Sequence, residues 1–200
     1  MGDESSLSHQ AVLLPEAINA LNIKSDGKYI DATFGRGGHS KAILNSLGAN
    51  GRLLAFDKDP AAISYAASEF AGDARFTIEH CSFDSIRHVV EKFDWIGKVD
   101  GLLMDLGVSS PQLDDANRGF SFQKDGDLDM RMNPKQGVSA AHWIATASEQ
   151  EMARVFKQYG EEKFSKRIAK AIVSKRASIT ISRTLQLSKI IADANPAWEK

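Results

Sequence analysis

The first 105 residues alternate strand-like and helix-like runs, and that rhythm excludes most folds. Residues 28–32, 52–56, 75–80 and 99–104 are short runs rich in aliphatic, β-branched and aromatic side chains, which suit a buried pleated surface. The segments between them, 40–47, 60–70 and 84–93, have helical character, and Pro60 stands at a first helical position, where proline is best tolerated. A further helix is expected over 14–21, ahead of the first strand. One helix between successive strands is too much chain for a hairpin. The strands must cross over and run parallel, so the expected class is α/β with a parallel sheet.

The rhythm stops at Asp105. Residues 107–137 are rich in Gly, Ser, Asp and Pro, and a connection of that length is commonly functional. Helices resume beyond it. Ser148 and Glu151 form an S-x-x-E capping box that opens a helix to about Tyr159, with Gly160 as its stop. Residues 161–175 are amphipathic, with Phe164, Ile168, Ala171 and Ile172 on one face and Lys163, Lys166, Arg167 and Lys170 on another. A last helix is expected over 184–194. The expected division is therefore 1–106, a nucleotide-fold domain, and 107–200, a motif-bearing loop with a helical domain. Charge divides similarly beneath a net of only −1. Residues 1–130 hold 20 acidic and 12 basic side chains, whereas 131–190 hold 4 acidic and 12 basic, a balance that suits a polyanionic partner. No run of about 18 apolar residues exists, so no membrane span is expected. The polar, acidic start lacks the features of a signal peptide, and Met1, Gly2 and Ser6 fit a myristoylation pattern only loosely. A single cysteine, Cys81, makes no internal disulfide, and a reducing cytoplasm is the expected compartment.

The sharpest local signal is D-A-T-F-G-R-G-G-H at residues 31–39, between a strand and a helix. Glycines there let backbone approach a ligand, and the helix start offers free N–H groups. Asp57 closes the next strand, 22 residues after Gly35, where a carboxylate can accept both ribose hydroxyls of a nucleoside. Two cofactors fit this outline. A dinucleotide fingerprint wants a third glycine where Ser40 stands, whereas D-x-x-x-G-x-G with a downstream acid is the usual opening of S-adenosylmethionine-dependent methyltransferases. Asp31, Asp57 and Asp105 all end strands and are expected on the ligand side of the sheet; Phe83, just past the third strand, is placed to pack on an adenine ring. The five histidines show no metal-ligand spacing, and the acidic stretch Asp125, Asp127, Asp129 departs from a calcium loop, so no metal is expected.

Longer motifs follow. D-L-G-V-S-S-P-Q-L-D-D at 105–115 precedes R-G-F-S-F at 118–122, D-G at 125–126, L-D-M-R-M at 128–132, Y-G-E-E-K-F at 159–164 and R-I-A-K-A-I at 167–172. With A-V-L-L at 11–14 and the loop 33–40, this series resembles the bacterial 16S ribosomal RNA (cytosine N4) methyltransferase family, from about residue 9 onward. The resemblance implies a Rossmann-like domain binding S-adenosylmethionine, with an all-helical domain inserted after the fourth strand. It implies methyl transfer to the exocyclic N4 of a cytidine in the decoding region of 16S rRNA, with the small ribosomal subunit as partner. It assigns cofactor contacts to Gly37, Gly38, His39, Asp57, Phe83, Asp105 and Gln112. Asp127 stands where the family's stretch has proline. The family's members continue well beyond this length, so these 200 residues are expected to be a piece whose fourth strand is left as an open sheet edge.

A cytosine amine is a poor nucleophile, because its lone pair is delocalised into the ring; the site must orient it and accept a proton. Asp105 is the expected residue for contact with the cofactor's methionine part or for orienting the amine, with Ser109 and Ser110 shaping the pocket. Recognition of an unstacked cytidine calls for stacking and phosphate contacts. Phe120 and Phe122 are the stacking candidates, Arg118 a phosphate contact, and Lys163, Lys166, Arg167 and Lys170 a basic face for RNA. Two other readings remain open at this point: an RNA-binding piece without catalysis, and an NAD-dependent oxidoreductase.

Overall fold

The computed structural model of the chain describes residues 13–195. The myristoylation pattern, the first two residues of the A-V-L-L stretch and the last five residues of the chain lie outside them. Two compact units are present, Met1–Ser109 and Ser110–Lys200.

The first unit is a four-stranded parallel sheet in the order β3-β2-β1-β4. Its strands are β1 (Lys28–Asp31), β2 (Arg52–Asp57), β3 (Phe76–His80) and β4 (Gly101–Leu103). Helices α1 (Leu14–Leu21), α2 (Gly38–Ser46), α3 (Pro60–Glu69) and α4 (Ile86–Lys92) accompany them. The period-2 alternation of a strand sorts the core onto two faces. Tyr29 and Leu53 pack with Ile43, Leu44 and Leu47 of α2 and its end, while Ala55 meets Phe34 and α3 through Ala62 and Ala66. The intervening residues Ile30, Leu54 and Phe56 face the other way, against Val89 and Val90 of α4 and Trp95. Asp59 caps α3 by accepting the N–H of Ala61 at 2.9 Å, with Pro60 at the first position as expected. The α4 segment begins later than expected, because a 3₁₀ turn, Phe83–Ser85, precedes it. Strand β4 spans three residues and, among the described residues, pairs with β1 alone, leaving Leu102 and Met104 exposed.

The second unit gathers α6 (Ala140–Thr146), α7 (Glu149–Gly160), α8 (Ser165–Arg176) and α9 (Thr184–Ala194) around Met152, Ile168, Ala169 and Ile172. Ser148 caps α7, its Oγ accepting the N–H of Glu151 at 3.1 Å. The expected helix over 161–175 starts four residues later. Gly160 stays helical and Glu161 takes the left-handed conformation at φ 51, so the Glu162 N–H closes onto the Phe156 carbonyl at 3.1 Å. The Glu162 carboxylate then accepts the Phe164 N–H at 2.7 Å, which holds the turn. Lys163 therefore sits in that turn, ahead of the helix that carries Lys166, Arg167 and Lys170.

The long connection is more structured than its composition suggests. It contains α5 (Ser110–Asp114), a 3₁₀ turn at Ala116–Arg118 and a tight interlock of two glycine-bearing motifs. A Cβ on Gly126 would lie 1.7 Å from the Ala116 carbonyl oxygen, and one on Gly119 would lie 2.5 Å from both the Asp127 carbonyl oxygen and the Asp129 nitrogen. The same stretch is tied to the start of α9. The Thr184 hydroxyl donates to the Lys124 carbonyl at 2.9 Å, and Arg183 bonds Asp125 and Asp127, both at 2.9 Å. Asp127 thus ties its loop to the start of α9 through an ion pair. Gly126→Ala should lower the stability of this unit by at least the roughly 1–3 kcal/mol typical of overpacking, read as a lower thermal midpoint with the far-ultraviolet helix signal as probe.

Candidate functional site

The chain leaving β1 is bonded first to the β4 side and then to the β2 side. The Ala32 N–H donates to Leu103 O of β4 at 2.9 Å, and the Thr33 hydroxyl oxygen accepts the Asp105 N–H at 2.7 Å. On the other side the Phe34 N–H donates to Phe56 O at 3.0 Å, and the Gly35 N–H to the Asp57 carboxylate at 2.7 Å. Gly37, at φ 72, is the point where the loop turns into α2. A Cβ there would lie 2.6 Å from Phe70 and 2.8 Å from Phe34, so both conformation and space demand glycine. No side chain caps the start of α2, and Gly38 is exposed, so the backbone of Gly38 and His39 presents the helix N-terminus. The His39 ring itself is buried.

Asp57 is half-buried at the end of β2. Its oxygens accept the Gly35 N–H at 2.7 Å and the Asp59 N–H at 2.8 Å, and each keeps a lone pair for a hydroxyl donor. Phe83 is 42% exposed, so part of its ring is open to a ligand. Asp105 is exposed just beyond β4. Asp31 departs from expectation. It does not open onto the strand ends but is 0% exposed, because strand alternation turns it to the same face as Tyr29, toward α2. There its carboxylate accepts the Ser40 hydroxyl at 2.7 Å and the Thr33 N–H at 3.1 Å. Burial, the dominant influence, raises its carboxyl above the ordinary range despite the opposing bond from Ser40. The glycine motif alone did not reveal Thr33 and Ser40 as the residues organising this loop; the strand alternation of Asp31 was the available signal.

The remaining expected residues belong to the second unit. Gln112, on α5, is buried. Arg118 is half-buried and donates to the carbonyls of Arg131 at 3.2 Å and Met132 at 2.8 Å. Phe120 is half-buried, whereas Phe122 is 70% exposed beside a turn in which Ser121 Oγ accepts the Gln123 and Lys124 N–H groups. Lys163, Lys166, Arg167 and Lys170 are all exposed. Among the described residues, no cluster of His, Cys, Asp and Glu could hold a metal, and no helix is long and apolar enough to cross a membrane. Two cavities, of about 210 Å³ beside Arg52, Arg75 and Trp95 and about 420 Å³ beside His142, Arg176 and Ile181, include no glycine-loop residue. The loop, Asp57, Phe83 and Asp105 instead gather at the C-terminal ends of the strands, outside the sheet.

A parallel sheet of this order, with a glycine turn after β1 and an acid closing β2, defines a Rossmann-like α/β fold of the methyltransferase type. Residues 6–200 match the MraW methylase family, and the chain belongs to it. It is 58% identical over 193 residues to the ribosomal RNA small subunit methyltransferase H of Pseudoalteromonas atlantica, covering 96% of this chain and 62% of that relative. It is 57% identical over 200 residues to the protein of the same name from Alteromonas mediterranea, covering 100% of this chain and 64% of that one. The chain thus spans less than two thirds of the length of these curated relatives.

The raised carboxyl of Asp31 has a consequence for stability. The folded state holds this proton to higher pH than the unfolded chain, so charging the group weakens the fold as pH climbs from the ordinary Asp value of 3.8 through the folded one. Asp31→Asn, which keeps the shape and an acceptor for the Thr33 N–H, should gain stability relative to the wild type as pH rises from about 4 to about 8, measured as urea midpoints across that range.

Proposed function

We propose that the first unit binds S-adenosylmethionine and that the whole protein methylates the exocyclic N4 of a cytidine in the decoding region of 16S rRNA, in the cytoplasm and with the small ribosomal subunit as partner. The observation that carries this reading is the donor set at the strand ends. Asp57 offers two acceptors to ribose hydroxyls, the α2 N-terminus offers backbone donors through Gly38 and His39 at the turn that Gly37 makes, and Phe83 offers an open aromatic face for adenine. A nucleoside with a zwitterionic tail matches that set. A dinucleotide matches it less well, because Ser40 occupies the third glycine position and its hydroxyl is engaged by Asp31. When bound, S-adenosylmethionine supplies an electrophilic methyl group. The chain's own task is then to orient the amine while a nearby acceptor takes the proton it loses, and Asp105, exposed beside the loop, is the residue assigned to orienting the amine or to contact with the cofactor's methionine part. Gln112 is a further cofactor contact in this reading.

For the RNA, Phe120 and the more exposed Phe122 are the base-stacking surface, and Arg118, Lys163, Lys166, Arg167 and Lys170 the phosphate contacts. The family match and two relatives named as ribosomal RNA methyltransferases support this assignment. A second reading, RNA binding without methyl transfer, is favoured by one observation: the basic and aromatic residues all lie in the second unit, whereas the glycine loop, Asp57 and Phe83 lie in the first. Calorimetric titration separates the two. Saturable S-adenosylmethionine binding, weakened roughly 10- to 100-fold by Asp57→Ala, supports the methyltransferase; RNA affinity without it supports the alternative. Replacing the four basic residues with glutamine should flatten the slope of log K against log salt by up to about 3, near 0.7 for each single-strand phosphate that is no longer neutralised; an unchanged slope removes this face from the interface.

A further inference from the structure

The bonds around Thr33 place it between the two loops that the proposed reaction uses, and it contributes to both through different atoms. Its N–H is held at 3.1 Å by the buried carboxylate of Asp31, whose other oxygen holds Ser40 of α2 at 2.7 Å. Its hydroxyl oxygen accepts the backbone N–H of Asp105 at 2.7 Å. Asp105 follows a strand of three residues, β4, and Leu106, Gly107 and Val108 beyond it are all exposed, so the chain around it has little packing to fix it. A bond from a side chain is then the principal restraint on where the Asp105 backbone sits relative to the glycine loop.

We infer that Asp31 and Thr33 form a clasp that registers Asp105 against the glycine loop, and that Thr33 is a positioning residue for methyl transfer. The inference rests on the proposed function for its catalytic consequence, while the clasp itself is a property of the fold. The hydroxyl is the element that matters. Serine preserves the acceptor, whereas valine keeps the shape and removes it. Asp31 acts one bond further back: asparagine can still accept the Thr33 N–H and meet the Ser40 hydroxyl, whereas alanine can do neither.

The test uses the whole protein and four variants, Thr33→Val, Thr33→Ser, Asp105→Ala and the Thr33→Val/Asp105→Ala pair, with melting curves to confirm folding. The first readout needs no ligand. Amide exchange at residue 105 should quicken on the order of tenfold in Thr33→Val and stay at the wild-type rate in Thr33→Ser. The second is kinetic. Thr33→Val should lower kcat on the order of tenfold while the Kd for S-adenosylmethionine shifts by less than about threefold, Thr33→Ser should restore kcat, and the valine effect should vanish in the Asp105→Ala background. Unchanged exchange at residue 105 in Thr33→Val overturns the clasp. Faster exchange with wild-type kcat, or with equal losses in both backgrounds, overturns the positioning role. A wild type that binds no S-adenosylmethionine refutes the proposed function and the positioning role with it; the clasp then stands or falls on the exchange rate at residue 105.

Discussion

Four hydrogen bonds on four consecutive residues organise this molecule's ligand side. Ala32 and Thr33 are bonded to the end of β4 and to Asp105, two residues past it; Phe34 and Gly35 are bonded to the end of β2. Sheet pairing ordinarily ends where strands end, leaving outgoing chain to find its own conformation. Here the ladder is continued by side-chain acceptors, a hydroxyl on one side and a carboxylate on the other. The glycine loop is therefore positioned by its neighbours, and the same groups that anchor it, Asp57 above all, are those that the proposed function assigns to a nucleoside. A site of this kind unites support and recognition in one carboxylate.

The two units, different in architecture, solve one problem alike. A helix leaves its last carbonyls without partners, and both units answer with an arginine from elsewhere in the chain. Arg75 reaches the Leu44 and Leu47 carbonyls at 2.9 and 2.6 Å, and Arg176 reaches those of Ile144 and Ala147 at 2.5 and 2.7 Å. A cation at a helix C-terminus also opposes the negative end of the helix dipole. In the first unit Asp73 orients the guanidinium through the partner bonds it makes with Arg75, which hold the Asp73 carboxyl below the usual range.

Much of this was readable from residue pattern. All four strands stand where apolar runs stand, and the last helix matches its expected bounds, because its amphipathic period has no competing local signal. The turn after α7 was harder to read. Glycine after a helix ordinarily takes the left-handed residue, yet Glu161 takes it, in a turn held by the bond that the Glu162 carboxylate accepts from the Phe164 N–H, which composition does not announce. Asp31 is legible in the strand alternation, which turns it inward, although its place at a strand end suggests the ligand side. The placement of Arg118 depends on carbonyls 13 and 14 residues away, contacts that only the folded loop creates. What the pattern conveyed was periodicity, and what it withheld was the company each polar group keeps.

Phe34 lies inside the glycine loop yet is buried, its ring packed at 5.3 Å from Phe70 and 5.7 Å from Phe76. The loop thereby carries its own hydrophobic anchor, and its ordering is completed when the core folds. A ligand binding as proposed would meet a loop that the core already holds in place. Encounter rates at such a surface vary little from one related ligand to the next, so discrimination among them falls to how long each one stays.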